Sequence, residues 1–307
     1  MYGLRSISVR ASASRKLRRY ERNFVFFSLA PIVLLFLVFS VIPIVWGTLL
    51  MFYNYNPLND AQPFVGFAHF RTMLEDEVFR KAFANTFAFV FIAIPLNIVL
   101  TLCIALGINR IRSARWRNVF RTMFFLPAIA PLAGSAIVWT TMFNSSNGLF
   151  NFILDALGFE RIHWLTDPAT ALLSIIIMTL WADVGYNIVI FMAGLDAIPG
   201  MFYEAAELDG ANRWQMFRHV TLPLLSRTSL FVFVMTSISY FQMFPQFKIM
   251  TNGGPQNETR VLTLDIFDHA FTYMNMGYAS AMAFLLLVVI LIITAAQIRL
   301  GRSRWEY

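Results

Sequence analysis

The sequence predicts an all-α integral membrane protein of six transmembrane helices, N-in and C-in, with one bent helical segment on the cytoplasmic side between spans 4 and 5. Three observations predict it. The 307 residues are 58% hydrophobic and 13% charged, against about 45–50% and about 25% in ordinary soluble domains. A soluble globule of this size would lack its solvated shell. Six runs reach the roughly 20 apolar residues that cross a hydrocarbon core about 30 Å thick. Finally, 18 of the 24 Lys and Arg lie on one set of alternate segments, counting the span ends that abut them. Those segments are therefore inside by the positive-inside rule.

In chain order, residues 1–23 form a basic cytoplasmic segment containing Arg15, Lys16, Arg18, Arg19 and Arg22. The run at 24–51 is too long for a signal-peptide core, and no small-residue cleavage site follows it, so it is read as a retained first span. The outer segment 54–83 opens with Asn54, Asn56, Pro57, Asn59 and Asp60, which are turn residues. Phe70, Met73, Leu74, Val78 and Phe79 then follow at a spacing that predicts one short amphipathic helix, interfacial or solvated.

Spans 2 and 3 are read at 84–108 and 119–143, span 4 at 170–195, span 5 at 226–247 and span 6 at 277–300. Within a bilayer each backbone must satisfy its own hydrogen bonds, so every run is a helix. Pro31, Pro43, Pro95, Pro127, Pro131 and Pro245 are candidate kinks. Residues 24–300 make one transmembrane domain and 301–307 a cytoplasmic tail. Inner segments carry net +12 and outer segments −4, with Asp183 alone inside a span. The overall +7 thus reflects orientation and an affinity for anionic membrane lipid rather than for nucleic acid.

The segment 196–223 is neither a short turn nor a basic patch. Pro199 suits a first helical turn and Gly210 a stop or sharp bend. Ile198, Phe202, Ala205 and Ala206 give one apolar stripe, and Trp214, Phe217 and 220–222 give a second. Two short helices at an angle are predicted.

Catalytic chemistry is missing from the sequence. It has no Walker-type phosphate loop and no Gly-x-Ser-x-Gly elbow. His69, His163, His219 and His269 lack metal-ligand spacing, so no metal site and no bound cofactor are predicted. The single cysteine, Cys103, excludes an internal disulfide and reads as a small buried apolar residue. The two three-span halves differ in loop pattern, which argues against the inverted repeats of a stand-alone secondary carrier.

Glu204-Ala205-Ala206, Asp209-Gly210-Ala211 and Leu222-Pro223, preceded by Ile198-Pro199, resemble the EAA signature of the membrane subunits of binding-protein-dependent ABC importers. Thr251-Asn252-Gly253-Gly254-Pro255, Thr259, Gly277-Tyr278-Ala279, Trp181 with Gly185-Tyr186, Val65-Gly66-Phe67 and Asn85-Thr86 resemble the carbohydrate-type subgroup, the family of the maltose permease F subunit. The resemblance covers about residues 24–300. It implies a multi-pass subunit of a bacterial or archaeal cytoplasmic membrane, paired with a second homologous permease. It also implies two ATPase subunits that bind ATP and Mg, and an extracytoplasmic solute-binding protein. Glu204, Ala205, Ala206, Glu207, Asp209, Gly210 and Pro223 would form the coupling helix and its exit, which dock on the ATPase. The chain itself is then not an enzyme, and the solute is a sugar or oligosaccharide, with a glycerophosphodiester, polyol or other solute as the alternative.

A polar group at membrane depth costs about 2.5–3.5 kcal/mol on insertion scales, so it faces a cavity or a partner. On a helix, positions 183, 186 and 187 share a face. Asp183, Tyr186 and Asn187, with Tyr240 and Gln242 of span 5, are therefore the candidate lining of the solute path. The competing reading makes them polar contacts to the second permease.

Overall fold

A computed structural model describes residues 24–301. The calls on the basic segment 1–23 and on tail residues 302–307 lie outside the described residues. Among the described residues the architecture is all-helical, with one isolated β-bridge between Tyr53 and Phe64.

Four helices are long and apolar enough to cross a membrane: α1 (Phe24–Leu50), α3 (Glu77–Asn109), α7 (Pro168–Asp196) and α13 (Met276–Leu300). They match the first, second, fourth and sixth predicted runs. Two bent pairs supply the remaining apolar length. α4 (Ala114–Ile129) meets α5 (Leu132–Met142) at 94°, and α9 (Arg213–Leu224) meets α10 (Ser226–Phe241) at 65°.

The first bend corrects the reading of 119–143 as one continuous helix. Ala130, which precedes Pro131, is extended (φ −68°, ψ 139°), and Pro131 caps α5 without an N–H to donate. The apolar run 226–247 is likewise not one helix. α10 stops at Phe241, Phe244 leaves the helical region, and Pro245 opens α11 (Pro245–Met250). Sixteen residues of α10 span about 24 Å, short of a full hydrocarbon core.

The outer amphipathic helix is also two pieces. α2 (Ala68–Glu75) ends at Asp76. The Asp76 carboxylate accepts from Val78 N at 2.8 Å and Phe79 N at 3.2 Å, which starts α3. Asp76 is thus both stop and cap. Two π-turns, Leu37–Val41 and Phe217–Thr221, lie just before Pro43 and Pro223, where the proline ring disturbs the α-helical ladder.

One core packs Phe89, Val90, Trp139, Ile175, Tyr240, Phe247, Leu264 and Met282 from α3, α5, α7, α10, α11, α12 (Leu262–Phe267) and α13, with Phe143 just past α5. A second core joins Ala105, Ile108, Ile188, Phe191, Leu195, Ile198 and Leu225. α7 runs through both. α6 (Leu149–Ala156) closes the end of the first core with Phe150 against Trp139 and Phe143. α1 is nearly unburied within this chain and touches it through Ile42–Leu50 against α13. Cys103 is exposed on α3, not buried: its position falls on the outward stripe between Thr101 and Ala105, both fully buried.

Candidate functional site

Asp183, Tyr186 and Asn187 lie on α7 as predicted, but the structure divides them between two environments. Asp183 and Tyr186 line a cavity of about 320 Å³ with Phe125 and Pro127 of α4 and Ser239 of α10. The Ala130–Pro131 break forms part of its rim. Tyr186 is 50% exposed there, so its ring is available to a ligand. The walls stand close because Gly185 lets α4 pack on the α7 backbone. A Cβ at Gly185 would lie 2.8 Å from the Phe124 carbonyl carbon and 2.9 Å from Phe125 Cα.

Asn187 points the other way, into a buried hydrogen-bonded knot. Its Nδ2 donates to Asn97 Oδ1 at 2.7 Å and to Thr236 Oγ1 at 3.0 Å. Asn97 Nδ2 in turn donates to the Tyr240 hydroxyl at 2.9 Å. Tyr240, 1% exposed, stands beside Asp183. It therefore joins the knot to the cavity from behind. Gln242 is exposed just past the end of α10 and joins neither group. The candidate lining read from the sequence did not include Asn97 and so missed its central role. The signal was present as an amide inside an apolar run. Thr236 gave none, since a threonine within a helix ordinarily bonds its own backbone.

The lining joins one carboxylate, a phenol, the hydroxyls of Thr179 and Ser239 and an aromatic face, with no Lys or Arg. Such a surface accepts hydrogen bonds from hydroxyls and stacks against C–H faces.

The bent segment carries α8 (Met201–Leu208) and α9. No α8 residue is buried, and Met201 and Leu208 are 67% and 89% exposed. α8 ends on Gly210 at φ +77°, with Ala211 N bonded to Ala206 O at 2.9 Å. α9 begins at once through a capping box between Asn212 and Gln215. The Tyr203 hydroxyl against Thr221 Oγ1 at 3.1 Å ties α8 to α9, and Ile198, just before α8, is buried in the core of the bundle. Glu204, Ala205, Glu207 and Asp209 are exposed, Ala206 half-buried, and Pro223 lies within α9, near the bend into α10.

At the end of the bundle away from α8, Asn252, Gly253, Gln256 and Asn257 take positive φ, folding 251–259 into a tight loop closed by Thr251 and Thr259 hydroxyls 2.6 Å apart. Asn85 Nδ2 donates to the carbonyls of Asn257 and Arg260, and Thr86 Oγ1 accepts from Leu262 N at 2.9 Å. Two stretches far apart in sequence thus form one unit. Below it Arg260 grips Asp268 with two bonds of 2.8 and 2.9 Å, beside Lys248 at 3.0 Å. Asp265 is 1% exposed, and neither of its oxygens accepts a hydrogen bond among the described residues. Burial pushes its carboxyl up to about 6 against the pull of Arg260. Burial also lowers His269, favouring its neutral form.

The model of binding-protein-dependent transport system inner membrane components matches residues 97–305. The probable ABC transporter permease YesP of Bacillus subtilis is 37% identical over 87% of this chain and 86% of its own length. The lactose transport permease LacF of Rhizobium radiobacter is 32% identical, covering 96% of this chain and 99% of its own. A chain from a crystal structure of a bacterial alginate ABC transporter superposes with a TM-score of 0.83 over 94% of this chain and 99% of that one, at 24% identity, a likeness of fold.

Proposed function

The chain belongs to the binding-protein-dependent transport system inner membrane component family, and on that premise we propose that it forms half of the translocation path of an ABC importer for a neutral sugar or oligosaccharide. The observation that carries the solute class is the cavity between α4 and α7. Asp183, Tyr186 and Ser239 offer hydroxyl-binding groups beside aromatic and apolar surface, with no cation to hold an acidic solute. Relatives at 31–32% identity that transport trehalose and maltose, lactose, or arabinooligosaccharides point the same way.

In this reading each bent pair counts as one span, giving six, with both ends inside. Asp183 and Tyr186 touch the solute directly. Asn187 and Tyr240 hold them from behind, and Gln242 borders the path only if the partner permease brings it there. α8 is the coupling helix. Its exposed Met201 and Leu208, beside Glu204, Glu207 and Asp209, suit a groove on an ATPase subunit that supplies ATP and Mg. A second permease covers the uncovered sides of α1, and a solute-binding protein delivers the sugar from outside. ATP-driven closure of the ATPases would move α8, and the permease bundles would rock as rigid bodies.

The test is solute-stimulated ATP hydrolysis by the reconstituted complex across a panel of neutral sugars, acidic sugars and polyols. Stimulation by a neutral sugar supports the reading. Stimulation confined to acidic sugars would overturn it.

A further inference from the structure

A second cavity, of about 430 Å³, lies behind the bent segment, where the α3–α4 turn meets α8 and α9. It falls within the size range of small-ligand sites. Arg110, Arg112 and Arg213 line it with the Tyr203 hydroxyl, over a floor that includes Leu106 and Phe217. Arg110 caps the end of α3 and Arg213 opens α9, so two turns about a hundred residues apart contribute to one basic pocket.

None of the three guanidiniums has a carboxylate partner among the described residues, and no acidic side chain lines the cavity. The nearby acid Asp196 is already held by Arg117. Three like charges converging on one hollow repel one another, and an anion that shares them relieves that repulsion. Guanidinium is also the side chain best shaped to grip phosphate oxygens with paired hydrogen bonds. An apolar floor beneath a basic rim at the inner end of the spans matches an acyl chain below a phosphate. Basic pockets between helices on the cytoplasmic side of membrane proteins take anionic headgroups.

We propose that Arg110, Arg112 and Arg213 form a phosphate-binding site behind the coupling helix, occupied by the headgroup of an anionic phospholipid of the inner leaflet. The site rests on the N-inside orientation proposed above. It shares Tyr203 with the contact that holds α8 to α9, so occupancy stiffens the element that meets the ATPase.

The experiment uses the full importer complex in phosphatidylcholine vesicles with and without phosphatidylglycerol. Lipid retained per complex after extraction is read by native mass spectrometry. Wild type is expected to retain phosphatidylglycerol over phosphatidylcholine. R110Q/R112Q/R213Q should lose that preference about tenfold, the scale of one or two charge-assisted hydrogen bonds. R110K/R112K/R213K, which keeps the charge, should retain a large part of it and shows that the fold survives. Displacement by inorganic phosphate would mark the phosphate group alone as sufficient. Resistance to displacement would mark the lipid as the source. Equal retention by wild type and the glutamine variant would overturn the site. So would a wild-type complex that retains phosphatidylglycerol no better than phosphatidylcholine, the outcome if acidic side chains of the ATPase fill the pocket. Failure of the orientation is read separately. In a C103S background, S113C beside the pocket should react with an impermeant maleimide from the cytoplasmic side, and labelling from outside would overturn the orientation instead.

Discussion

Replacing Gly185 by alanine tests how the solute cavity is built. The added methyl carbon would lie 2.8 Å from the Phe124 carbonyl carbon and 2.9 Å from Phe125 Cα, and closer still to the Phe124 carbonyl oxygen. These are backbone atoms, so no rotamer change relieves the clash, and α4 must retreat from α7 by about 1 Å. Overpacking costs about 1–3 kcal/mol, and a rigid backbone contact belongs at the upper end. Alanine regains about 1 kcal/mol of helix propensity over glycine, leaving a net loss of about 2 kcal/mol. The retreat carries Phe125 away from Asp183 across the cavity. Displacements of about 1 Å lower activity by orders of magnitude where several groups must meet one ligand. Gly107 and Gly134 are matched controls, since a Cβ at either meets nothing within 4 Å. G185A should lower the temperature at which the solubilised complex loses monodispersity and reduce uptake at least about tenfold, while G107A and G134A leave both near wild type. If G185A and G107A match in stability and uptake, the close packing of α4 on α7 does not set the cavity.

Three further outcomes follow from the same structure. D183N and Y186A should abolish uptake while leaving the complex assembled by size-exclusion chromatography, and normal transport by both would remove them from the solute path. G210V puts a β-branched residue at φ +77°, costing about 1–2 kcal/mol locally; the chain should still insert, but solute-stimulated ATP hydrolysis should fall, and unchanged stimulation would count against α8 as the coupling element. Asp265, raised to about 6 in the folded protein from about 3.9 in an unfolded chain, binds its proton more firmly when folded, so stability falls as pH rises from about 4 to 6 and stays lost above. D265N should therefore raise the thermal midpoint at pH 7, by up to about 3 kcal/mol in stability, and flatten that slope. The lowered His269 acts with the opposite sign, losing stability as pH falls below its usual range, so an unaltered slope in D265N would assign the pH dependence elsewhere.

Span length was legible in the sequence because bilayer thickness imposes it directly. The runs at 24–51, 84–108, 170–195 and 277–300 became α1, α3, α7 and α13 within a few residues, apart from a longer outer start to α3. The breaks were legible only as proline positions. Pro127 and Pro131 announce a disturbance, but whether it is a kink or a 94° turn depends on α4 being held against α7 at Gly185, a contact between distant residues. Hydropathy carried the fifth run past its true end because 241–247 remains apolar while its backbone leaves the helix. Asp76 held a readable signal, a capping acid just before an apolar run, that the amphipathic spacing on either side concealed. The helical face shared by 183, 186 and 187 was correct as geometry. It could not separate a cavity wall from a buried knot, because Asn187 turns toward Asn97 and Thr236 on two other helices.

The two halves of the proposed mechanism meet in α7. This helix is unbroken from Pro168 to Asp196 and is the most buried of the long spans. It carries Asp183 and Tyr186 at the cavity, and its last turn is tied to α4 by Asp196 and Arg117. Ile198, packed in the second core, leads directly into α8. Across the cavity stands a wall of the opposite kind, α4 and α5, interrupted at Ala130–Pro131 where no helical ladder continues. A force applied at α8 therefore enters a stiff rod on one side of the solute and meets a hinge on the other. On the proposed function, the cavity residues of α7 and the α4 residues packed on them would move with α8, while α5, beyond the break, would not have to. That asymmetry would let a small displacement of α8 open and close the cavity without dismantling the Asn97–Asn187–Tyr240 knot behind it.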